Sequence, residues 1–136
     1  MGAWSTLPFG NDDAAEWSYN LEDADDLGPI EEALAKVLAT GNDYLESPEA
    51  KEALAAIEIL ACLGGSPGDT ETYTEAADAW VGRTTVKPPS ELVDQAQAAI
   101  DRIVGDNSEL RELWQDSDEY EQWLATVADL RIRVAP

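Results

Sequence analysis

The run Ala53-Leu54-Ala55-Ala56-Ile57-Glu58-Ile59-Leu60-Ala61-Cys62-Leu63 constrains this chain more than any other stretch. Glu58 is its only polar residue, and no other part of the chain is so apolar for so long. The run is too short to cross a bilayer, which takes roughly 20 apolar residues. It suits a helix that is apolar almost all round, lying at the centre of a core with other helices packed about it. Ser47-Pro48-Glu49 ahead of it reads as cap, proline and first-turn acid, and Gly64-Gly65 reads as a stop. The spacing therefore predicts a central helix over about 48–63. At about 100° per residue, Leu54, Ile57, Ile59, Leu60 and Leu63 cover most of its circumference. Lys51, Ala55, Glu58 and Cys62 share the one remaining stripe.

The other segments fall into helices around it. Asn11-Asp12-Asp13 offers a capping side chain and acids that suit a helix N-terminus, and Ala14, Trp17 and Leu21 keep helical spacing over roughly 12–21. Glu22-Asp23-Ala24-Asp25-Asp26 reads as an acidic linker. Gly28-Pro29 opens a helix with the stripe Ile30, Ala33, Leu34, Val37 and Leu38, which Gly41 stops. A short helix starts at Thr72 or Tyr73, contains Ala76, Ala77, Trp80 and Val81, and ends near Gly82. Residues 90–104 give the clearest amphipathic pattern, in Leu92, Val93, Ala96, Ile100, Ile103 and Val104. Ser108 starts a further helix with Leu110, Leu113 and Trp114. After a break near Asp116-Ser117, Tyr120, Trp123, Leu124, Val127 and Leu130 continue to about Arg131. No segment alternates strictly over more than a few residues. The expected fold is all-α, a single-domain bundle of six or seven short helices over residues 1–136.

Charge narrows the partners. Against 29 acids stand 8 bases, a net charge of −21. Nine of the acids and none of the bases precede Lys36. This opposes direct binding to nucleic acid, whose phosphates need Lys and Arg, and docking on an anionic membrane. It favours a basic protein partner or simple solubility. Met1-Gly2-Ala3-Trp4-Ser5-Thr6 fits the bare myristoylation pattern, but no polybasic stretch supports it. The start has neither the basic nor the apolar region of a signal peptide, and a single buried cysteine suits a reducing compartment, so the expectation is a cytoplasmic protein.

Chemistry is bounded mainly by exclusion. The chain has no histidine, so Cys62 and every serine lack the usual activating base. One cysteine and no histidine leave no zinc set, and no metal or cofactor is implied. Asp23-Ala24-Asp25-Asp26-Leu27-Gly28 imitates half of a calcium loop, but Leu27 and Leu34 stand where ligands are required, and Asp116-Ser117-Asp118 fails in the same way at Tyr120. These acids read as helix flanks. Gly64-Gly65-Ser66-Pro67-Gly68 lacks the lysine and preceding strand of a phosphate loop. Trp17, Trp80, Trp114 and Trp123 lie on apolar helix faces and read as core anchors, whereas Trp4 lies on no helix and is a candidate contact. Two readings of Glu58 stand. It lies on a partly solvated stripe, or the small neighbours Ala55 and Cys62 let another helix bury it. Burial would require an arginine partner, for which Arg83, Arg102 and Arg111 are candidates.

Met1-Gly2-Ala3-Trp4, then Phe9, Asn11-Asp12-Asp13-Ala14 and Trp17, resembles the start of a family of small bacterial proteins, domain of unknown function family 4259, which begin Met-Gly-Ala-Trp-Gly. Ser5 replaces that family's usual glycine. Tyr44-Leu45, Ala55-Ala56-Ile57-Glu58, Ser108-Glu109-Leu110, Leu113-Trp114, Trp123, Leu130 and Arg133 also fall where the family has similar residues. The resemblance implies one domain and supplies no reaction, cofactor or site.

The functional expectation is thus a non-enzymatic interaction protein of immunity or antitoxin type. Its binding candidates are Trp4, Asp12, Asp13, Glu16, Asp23, Asp25 and Asp26, on an acidic face extended by Glu22, Glu31 and Glu32. The alternatives are a carboxylate-based, metal-dependent enzyme and a mimic of nucleic acid.

Overall fold

In a computed structural model, which describes residues 6–68, 73–84 and 86–135, the chain forms seven α-helices and, among those residues, no strand. They are α1 (Asp12–Tyr19), α2 (Gly28–Ala39), α3 (Ser47–Leu63), α4 (Glu75–Arg83), α5 (Ser90–Val104), α6 (Glu109–Gln115) and α7 (Tyr120–Val134). The apolar run is α3, and α3 packs against each of the other six helices. Every residue from Ala53 to Ala61 is buried. Most of the stripe left outside the aliphatic pattern is covered as well, since Lys51, Ala55 and Glu58 are buried and Cys62 is half-buried.

Local chemistry explains where the helices start and stop. The side-chain oxygen of Asn11 accepts from the N–H of Ala14 at 2.8 Å and caps α1. Thr74 caps α4 through the N–H of Ala77 at 3.1 Å, so α4 begins at Glu75 rather than at Thr72 or Tyr73; Thr72 itself lies outside the described residues. Asp26 accepts from the N–H of Gly28 at 2.8 Å at the head of α2. Ser47 does not cap α3 with its own hydroxyl. Its N–H donates instead to the carboxylate of Glu109 at 2.7 Å, so α6 supplies the cap for α3. The two chain segments are also joined by a short parallel bridge, with Leu45 N–H donating to Asn107 O at 2.8 Å and Glu109 N–H to Leu45 O at 2.9 Å. At the far end of α3, Gly65 takes a φ of +93°, and the chain reverses so that Ser66 N–H reaches Ala61 O at 2.8 Å.

Two expectations shift. Leu38 is 36% exposed and is not part of the core-facing stripe of α2. α7 continues past Arg131 to Val134, because Leu130 and Val134 both bury against the core and hold its last turn in place. That extra turn carries Arg133.

The tryptophans act as core anchors. Trp17, Trp80, Trp114 and Trp123 are all buried, Trp114 and Trp123 stack at 6.3 Å, and the indole N–H of Trp80 donates to Ala24 O at 3.1 Å. Trp4 lies outside the described residues.

Candidate functional site

The densest polar arrangement gathers around Glu58 on α3. Glu58 is 1% exposed, and Arg133 from α7 clasps it with two parallel bonds, Nη1 to Oε2 at 2.6 Å and Nη2 to Oε1 at 2.7 Å. Oε2 also accepts from the hydroxyl of Tyr73 at 2.5 Å and from the N–H of Gly68 at 3.0 Å. The rest of the guanidinium is engaged, with Nε donating to Asp129 at 2.7 Å and Nη1 to Ser66 O at 3.2 Å. Phe9 packs its ring against that of Tyr73, with centroids 5.2 Å apart. Cys62, one turn along from Glu58, lies 3.0 Å from the Tyr73 hydroxyl.

The partner of Glu58 is therefore Arg133 and none of the expected candidates. Arg83 donates to the carbonyls of Leu21, Glu22 and Ala24 and ties the acidic linker to α4. Arg102 donates to Gly41, Asp43, Asp106 and Asn107 carbonyls and binds two loops together. Arg111 pairs with Asp106 and reaches the Tyr120 hydroxyl. A Cβ at position 68 would lie 2.9 Å from Arg133 Nη2 and 3.0 Å from Cζ, so the guanidinium or the loop would have to shift.

Burial governs the thiol and the phenol of this cluster. Burial pushes the Cys62 thiol up to about 11, which leaves it protonated and unreactive at neutral pH. Burial, with the Cys62 and Glu58 contacts added, raises Tyr73 well above the ordinary phenol range. The bond to Glu58 raises Arg133, whose charge is secure in any case. The result is a clamp joining α3, the loop after it and α7. Beside it opens a cleft of about 380 Å³ whose polar rim includes Gln122, Thr126 and Asp129.

The expected acidic face is arranged differently. Asp12, Glu16, Glu22, Asp23, Asp25, Asp26, Glu31 and Glu32 are all exposed, and none forms an ion pair among the described residues. Asp13 departs from the set. It is partly buried and pairs with Lys51 Nζ at 3.3 Å. By helical spacing, Asp12, Glu16 and Tyr19 share the outer face of α1, and Tyr19 is 57% exposed. Among the described residues no group of three or more Cys, Asp or Glu side chains converges to hold a metal ion, and no helix is long and apolar enough to cross a membrane.

Sequence reasoning missed Arg133, Tyr73 and Gly68 as members of the clamp. The available signal was Glu58 itself, a lone acid in an apolar run; nothing local indicates which arginine, 75 positions away, closes on it.

No curated protein and no solved structure matches the chain. A family model described as Domain of unknown function (DUF4259) matches residues 2–126 of the 136, and the chain therefore belongs to that family.

Proposed function

We propose that this is a cytoplasmic, non-enzymatic interaction protein of bacterial origin that binds a basic protein partner through the exposed acids of α1, the following linker and the head of α2. One observation carries the reading. Over residues 12–32 eight acids are exposed and free of ion pairs among the described residues, while Arg83, which reaches the linker, is turned onto backbone carbonyls. A face of one sign raises the local concentration of a partner of the other sign and speeds its docking. Tyr19 supplies an exposed aromatic of the type enriched at the energetic centres of interfaces. The interior is consistent with such a role: the thiol and phenol keep their protons, and the buried carboxylate is fully engaged. An immunity or antitoxin role is the concrete form of the proposal. A carboxylate-based enzyme is less well supported, because it needs several acids around one cavity.

The test compares the wild-type chain with Asp23→Asn/Asp25→Asn/Asp26→Asn in capture from the source cell's lysate, eluted by a salt gradient. A basic protein held by the wild type, lost by the variant and released by moderate salt is the expected result, since exposed charges are screened beyond about 10 Å at 0.1 M salt. Retention that is equal in both chains, or indifferent to salt, would sink the proposal.

A further inference from the structure

We propose that the small cavity between the lead-in at Thr6, the start of α1, α3 and α7 is a binding site for one structural water molecule gripped by Lys51. The cavity has a volume of about 20 Å³. One water needs at least about 10–15 Å³ measured in this way, together with two to four polar partners. The space therefore suffices for one water molecule.

The polar partners are in place and have capacity to spare. Lys51 is 4% exposed, and its ammonium, which carries three N–H donors, has one protein partner among the described residues, Asp13 at 3.3 Å. Asn11 is 5% exposed and spends its side-chain oxygen on the N–H of Ala14, which leaves its amide N–H groups unmatched among the described residues. The Thr6 hydroxyl, 8% exposed, lies 3.2 Å from that of Thr126, whose single proton has Gln122 O at 3.1 Å as its other acceptor, so the pair offers oxygen lone pairs to the cavity. All four side chains line the cavity, and Leu54, Trp114 and Trp123 add apolar walls. A water between these donors would take the hydrogen bonds that they have to spare.

A site rich in donors also suits a small anion. Water is favoured because Asp13 already offsets the Lys51 charge and because the chain carries −21 overall. The site would make a polar seam inside the core that fixes α1 against α3 and α7.

The decisive measurement is water–protein nuclear Overhauser transfer in the full chain. The expected result is long-lived water cross-peaks to the Thr6 and Thr126 methyls and to the Asn11 side-chain amide, all lost in Lys51→Met. Thr126→Val, which removes one hydroxyl from the wall, should weaken them and serves if Lys51→Met does not fold. Absence of the cross-peaks in the wild type overturns the proposal. So does a shift of the Lys51 and Asn11 signals when chloride is replaced by a bulky anion, because the occupant would then be a halide.

Discussion

Lys51 and Glu58 stand on the same stripe of α3, and each is nearly fully buried beside a partner of opposite charge. Glu58 is gripped by a bidentate guanidinium and receives two further bonds, from Tyr73 and Gly68. Lys51 has a single long contact at 3.3 Å, and its partner Asp13 keeps 33% of its side chain in solvent. Burial at both positions follows from α3 being the central helix. How each charge is matched follows from what faces it. Opposite Glu58, a loop and a helix terminus bring free N–H and O–H donors to one point. Opposite Lys51, a rigid helix start offers one acid at its rim. The first arrangement makes a lock, and the second leaves a buried charge with room beside it.

Breaking the lock should produce the largest effect, and an unequal one. Arg133→Met leaves a carboxylate with 2% side-chain exposure and no counter-charge, and the expected loss of stability is about 3–5 kcal/mol. Glu58→Leu leaves the guanidinium, which keeps Asp129 and 15% side-chain exposure, so its expected loss is smaller, about 3 kcal/mol. The double variant should lose less than the sum of the two, the mark of a direct interaction. Urea unfolding of the four chains checks this. Equal losses that simply add would mean that the two side chains contribute independently and that the clamp is not a unit.

Gly68→Ala sharpens the comparison from the side of the loop. The added methyl meets a guanidinium that is pinned at both edges, so the arginine has to give or the loop has to lift. Overpacking of this kind costs about 1–3 kcal/mol. The expected signature is a loss within that range in the wild-type background that largely vanishes in Arg133→Met, where the obstacle is gone. A loss that persists in both backgrounds would trace to the backbone of the loop.

The two ends of the stripe also differ in how far the sequence reveals them. The helical period, the caps at Asn11 and Ser108 and the stop at Gly64-Gly65 are local signals, and they place six or seven helices with ends shifted by a residue or a few from the seven observed. That Glu58 is buried follows from the apolar run only once every face of α3 is known to be covered. Its partner is not legible, because pairing across the chain is a tertiary fact. Ser47 teaches the same lesson, since its cap comes from Glu109 on another helix. The acidic face is legible as charge, and the removal of Asp13 from it by Lys51 is not.

The weaker pair should yield the smallest effect. Lys51→Met keeps an apolar stem and removes the ammonium. Removing one member of a buried pair is severe when the other is left buried and charged, but Asp13 retains a third of its exposure and turns to water. The single 3.3 Å contact resembles a surface pair, worth about 0–1 kcal/mol, more than it resembles the clamp. Whatever the lost contact costs is set against the desolvation of an ammonium that no longer has to be buried. The expected change in urea unfolding is therefore within about 1 kcal/mol of wild type, in either direction. A loss near that of Arg133→Met would show that the Lys51 seam holds α1 as firmly as Arg133 holds α7, and the contrast between the two ends of α3 would collapse.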